Sequence, residues 1–177
     1  MRSTLISLSV LTSLLMSPAA AKVPGYVGEC VPFARAISGI DIHGDAWRWW
    51  QLAKGKYQRG HRPKKGAVIV FAKSPQLRVG HVAVVSRVID SRVVMVTHAN
   101  WSRIHGARGH VEQDVTLTDV SRAHDWSLVR VWFRRSHGLG TTSYRVTGFI
   151  YGKSAASPKL TGAHPDYVGS LIDVYAG

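Results

Sequence analysis

Two spacings of apolar residues divide the chain. Between Tyr26 and Gly39 they follow a helical period: Phe33, Ala34, Ala36 and Ile37 come after Pro32, which suits a first helical turn, and Gly39 suits the cap that ends it. A second helical pattern runs from Asp45 as N-cap to Leu52, with Ala46, Trp49, Trp50 and Ala53 on its buried side. Lys54 to Lys65 is basic and broken by glycine, which reads as a loop. Then the pattern changes. Gly66–Phe71, Gly80–Val88 and Arg92–His98 are short β-branched runs, and Asp90-Ser91 turns the last two into an antiparallel hairpin. Leu128–Phe133 and Tyr144–Tyr151 add two strands joined by a loop over Arg134–Ser143, and edge pairing is expected around Val111 and Val115. Two helices ahead of five or six strands predict an α+β domain with the helices packed on one antiparallel sheet.

The ends of the chain differ from this body. Met1–Ala21 has a positive residue at Arg2, an apolar run from Leu5 to Met16 and an Ala19-Ala20-Ala21 cleavage site, the pattern of a signal peptide. The run is too short to span a bilayer, and no later segment is apolar enough. Residues 22–152 are then the domain, and 153–177, small, polar and proline-bearing, a C-terminal tail whose Asp166–Tyr175 segment has amphipathic character. Export by a bacterium to the periplasm or beyond is the implied address. The formal charge of +13 suggests anionic surroundings, and for an exported chain these are anionic envelope polymers rather than nucleic acid. Its basic residues are nonetheless scattered, as on an ordinary solvated face.

One cysteine in an exported chain excludes a disulfide framework and makes Cys30 either a packed core residue, half of an intermolecular bridge, or a nucleophile. Its place at a helix N-terminus favours the thiolate, and so the nucleophile. A base must then face it. Among nine histidines, His81 opens a strand directly after Gly80, where a ring is held rigidly yet reaches the sheet end. The returning hairpin strand brings His98 and Asn100, two residues apart, beside His81, and an amide oxygen can fix an imidazole tautomer without charge. Trp101 would shield such a bond. No cofactor is called for. A metal site from His98, His105 and His110 has no familiar ligand spacing.

The ordered set Gly-Glu-Cys30, Gly44-Asp45-Ala46, Pro63-Lys-Lys-Gly66-Ala-Val-Ile-Val-Phe71, Gly80-His81-Val-Ala-Val-Val and His98-Ala-Asn100-Trp101 resembles the CHAP family of cysteine, histidine-dependent amidohydrolases and peptidases. The resemblance spans roughly Tyr26 to Tyr151. It implies a papain-like α+β fold, a peptidoglycan substrate cut through a thioester, Cys30 as nucleophile, His81 as base and then acid, and Asn100 or His98 as the group that orients His81. Two positions depart from the family pattern: a glutamate often stands where His98 is, and a glutamine where Glu29 is. Tyr26 is the candidate for the second oxyanion donor. Two alternatives stay open: a non-catalytic basic wall-binding module with a degenerate triad, and an amidase for a small non-wall substrate.

Overall fold

A computed structural model describes residues 28–103, 106–133 and 136–152. The expected signal peptide, the oxyanion-donor candidate Tyr26, the metal candidate His105 and the tail lie outside the described residues. Within them, helix α1 spans Cys30–Ser38, followed by a 3-10 turn over Ala46–Arg48 that runs into a single α-turn, α2, at Trp49–Leu52. Seven strands follow: β1 Gln58–Gly60, β2 Val68–Phe71, β3 His81–Val88, β4 Val93–Ala99, β5 Val111–Asp119, β6 Leu128–Phe133 and β7 Gly138–Tyr151. No described helix is long and apolar enough to cross a membrane.

The expected single antiparallel sheet with helices packed on it is corrected to a sheet closed on itself, with few helices. Neighbours run β1-β7-β2-β3-β4-β5-β6, and β6 pairs again with β7, so six antiparallel strands form a barrel with β1 outside the ring. Closure depends on β7. Its first half, from Gly138 to Arg145, pairs with β6, and its second half, from Val146 to Ile150, pairs with β2. Register shifts in both ladders bend the strand between its two sets of partners, as bulges do where a sheet must curve. The expected edge pairing near Val111 is in fact a nine-residue ladder strand, β5, and the expected Lys54–Lys65 loop contains the short β1.

Alternation along the strands gives the barrel two buried faces. One set, Ile69, Phe71, Ala83, Val85, Val94, Val96, Val115, Leu117, Val131 and Phe149, forms one core cluster. The other set, Val68, Val70, Val82, Val84 and Ile150, packs with Phe33, Ala34 and Ile37 of α1 and with Trp49. Strands covered on both faces explain why β2 reads as an uninterrupted apolar run, all four residues buried. Helix α1 lies against β3 and β4, which brings its first residue to the start of β3. It ends as expected at Gly39, left-handed at φ 69°, whose N–H donates to the Arg35 carbonyl at 3.0 Å.

Candidate active site

Cys30 is the first residue of α1, after an extended Glu29 that caps the helix without a side-chain bond. The thiol is buried, 8% exposed, with the backbone N–H of Val82 near the sulfur, and Val82 follows His81 directly on β3. The helix packing therefore sets sulfur beside the strand that carries the imidazole. The N–H groups of Val82, Cys30 and Val31 draw the thiol pKa down, but burial outweighs them and the nearby Glu29 carboxylate adds to it, so the pKa is raised. This corrects the expectation of a helix-stabilised resting thiolate: desolvation exceeds what one helix terminus supplies.

His81 is also buried, at 3% exposure, and its Nε2 lies 3.0 Å from Nδ1 of His98. The hairpin accounts for the pairing: His81 begins β3, and His98 stands one residue before the end of β4. Phe71, paired in register with His81, meets the His81 ring edge-on, while Trp101 stacks on His98 and lies 4.8 Å from His81, centroid to centroid. Tyr144 closes the group against Phe71 and Trp101. Trp101 thus covers the His81–His98 pair, not the His81–Asn100 bond it was expected to shield.

Asn100 is placed elsewhere. Left-handed at φ 62°, a conformation asparagine tolerates, it donates from Nδ2 to Glu29 Oε2 at 2.7 Å. The ring that meets Nε2 of His81 belongs to His98, and Asn100 instead ties the segment before the nucleophile to the end of β4. Gly28 and Gly109 touch backbone to backbone on the same side, where a Cβ on either would lie within 3.6 Å of the other. Arg108, next to that contact, hangs from the carbonyls of Asn100 and Trp101 at 3.3 and 3.1 Å and places its charge near His81 and Tyr144.

Burial governs both rings. It drives the His81 pKa well below its ordinary value, with His98 and Arg108 pushing the same way, and lowers His98 to about 4 against an opposing pull from Glu112. At neutral pH the resting site is thiol, neutral imidazole and neutral imidazole. Linkage then fixes a sign. Both rings bind protons more readily unfolded than folded, so their contribution to stability is complete above pH 6.5 and is lost as pH falls toward 4. For His98 alone the loss is about 3 kcal/mol. Thermal midpoints should fall steadily between pH 6.5 and 4, and His98→Gln should flatten that slope; a midpoint unchanged from pH 7 to 5 would show that these rings are not buried neutral.

Glu112 was not singled out from sequence, where it sits inside Val-Glu-Gln-Asp-Val and reads as a polar edge position. Among the described residues no cluster of histidine, cysteine and carboxylate has metal-holding geometry.

Residues 21–100 match the family model described as CHAP domain. Among solved structures, an N-acetylmuramoyl-L-alanine amidase from Staphylococcus aureus is similar at 24% identity over 71% of this chain and 31% of its own, with a TM-score of 0.45. The chain spans less than a third of that protein's length. No curated protein matches the chain. Cys30, His81, His98 and Asn100 all fall inside the segment that matches the CHAP domain model.

Proposed function

We propose that this domain is a cysteine hydrolase that cleaves amide bonds in the peptide part of peptidoglycan, exported to the periplasm or beyond and working without metal or cofactor. The observation that carries the reading is the buried His81–His98 pair at 3.0 Å on the strand whose next residue meets the Cys30 thiol. The match of residues 21–100 to the CHAP domain model supports amide chemistry, and the CHAP resemblance supplies the papain-like comparison and the wall substrate.

In this mechanism His81 keeps its Nε2–H donated to His98 Nδ1, which leaves His81 Nδ1 bare to take the thiol proton as sulfur attacks the carbonyl. The C–N bond breaks when Nδ1 returns that proton to the leaving amine. Water, deprotonated by the same nitrogen, then attacks the thioester and releases acid and free thiol. A neutral resting pair suits a base that takes the proton during attack rather than a preformed ion pair. The backbone N–H of Cys30, at the unpaired start of α1, is the oxyanion donor. The basic surface serves attraction to anionic wall polymers.

His98 carries the orienting role in this scheme and Asn100 a tethering one. His98→Ala should lower kcat roughly 100-fold with little change in KM, whereas Asn100→Gly, which suits the left-handed backbone, should cost less than about fivefold. The reverse order would return the orienting role to Asn100.

Incubation of purified protein with peptidoglycan sacculi, alongside Cys30→Ala, tests the activity itself: wild type should release soluble muropeptides and new amino termini, and the variant should not. The burial of the thiol favours one second reading, a wall-binding module that performs no hydrolysis. It predicts equal release by both proteins and sedimentation of both with sacculi.

A further inference from the structure

The base role of His81 requires His98 Nδ1 to be an acceptor, which puts the His98 proton on Nε2. That atom is buried and has no hydrogen-bond partner among the described residues. An orphaned polar group there is costly, and a buried N–H is the costlier form, so something must favour the tautomer the chemistry needs. The neighbouring strand offers a carboxylate. His98 pairs in register with Glu112, which is 4% exposed.

A bulge produces this juxtaposition. From Val96 to His98 the ladder advances two residues on β4, while β5 runs three, from Val115 to Glu112. The extra residue lies in the Gln113-Asp114 segment, where Asp114 is left-handed at φ 51°. Without it Gln113 would oppose His98. The Glu112 carboxylate is held by the Ser102 backbone N–H at 2.8 Å and the Ser102 hydroxyl at 2.9 Å, both neutral donors.

We propose that Glu112 is a positioning residue acting through His98: its buried negative charge favours the proton on His98 Nε2, keeps Nδ1 free to accept from His81, and stabilises positive charge on His81 when the thiol proton arrives. The unit is then Cys30, His81, His98 and Glu112, with the negative charge supplied from β5. The other charges near it are Arg108, which acts against a protonated His81, and Glu29 beside the thiol. This role rests on the hydrolase reading for its purpose, but not for its test.

The test is Glu112→Gln, which can still accept from the Ser102 N–H. Two readouts need no substrate: the pH profile of Cys30 alkylation by iodoacetamide, and nitrogen-15 histidine spectra that report each ring's tautomer. In wild type, His98 should show the Nε2–H form. In the variant, alkylation near pH 7 should fall about tenfold and approach the wild-type rate at high pH, a shift of about one pKa unit. An unchanged alkylation profile would overturn the proposal, and so would a wild-type spectrum with the His98 proton on Nδ1, whether or not the variant folds. A shifted profile in a protein that leaves peptidoglycan intact would uphold Glu112 and refute the hydrolase reading.

Discussion

Cys30→Ser is expected to reduce hydrolysis of peptidoglycan peptides by at least about 10⁴-fold while leaving the thermal midpoint within a few degrees of wild type. The two halves of that expectation come from the same geometry. A serine oxygen fits where sulfur sits, keeps the Val82 N–H in reach and alters little at a position only 8% exposed. Its hydroxyl, however, is intrinsically far less acidic than a thiol, and the burial that already raises the cysteine pKa would oppose an alkoxide still more. With His81 held neutral, the base in this site is weak and needs an acidic, polarisable nucleophile. Turnover by the serine variant near the wild-type rate would remove Cys30 from the chemistry; loss of turnover together with loss of fold would instead indicate a packing role. Circular dichroism and a thermal melt on the assayed sample separate the two outcomes.

Gly80→Ala is expected to be the most damaging conservative change near the site. Gly80 has φ +72°, and a Cβ there would lie 2.6 Å from the Trp47 backbone nitrogen and 2.9 Å from the Phe71 carbonyl oxygen. Neither neighbour can yield cheaply. The Trp47 N–H is bonded to the Val79 carbonyl at 3.1 Å, and Phe71 is in the β2 ladder opposite His81. Left-handed strain and a backbone clash together should cost about 3 kcal/mol or more and lower the midpoint by about 10 °C. Because the displaced peptide is attached to His81, kcat should fall beyond what lost stability explains, measured at a temperature where the variant stays folded. A variant with wild-type kcat would mean that the ring position does not depend on this turn.

Much of the site is legible in the chain because its parts are local. Helix α1 follows from Pro32, the apolar spacing of Phe33, Ala34 and Ile37, and Gly39 as cap, so Cys30 at its start could be read directly. The hairpin of β3 and β4 follows from its β-branched runs and the Asp90-Ser91 turn, and that alone brings the His98 region back beside His81. The second helix is less regular than its pattern predicts. Ala46, Trp49 and Ala53 are buried as the pattern requires and Trp50 only partly, yet the segment splits into a 3-10 turn and one α-turn.

Composition and period decided the helix that bears the thiol, the strand that bears the imidazole and the return of the His98–Asn100 segment beside it, because each depends on residues near in sequence or one tight turn apart. Tertiary structure alone decided the rest. Closure into a barrel depends on where one long strand changes partners, the turning of Asn100 to Glu29 on how α1 seats against the end of β4, and the inward Glu112 on a single extra residue in β5. The acidity of the site was set there too. How strongly a thiol and two rings are desolvated is a property of what surrounds them in space, and here that burial overrides the local helix terminus.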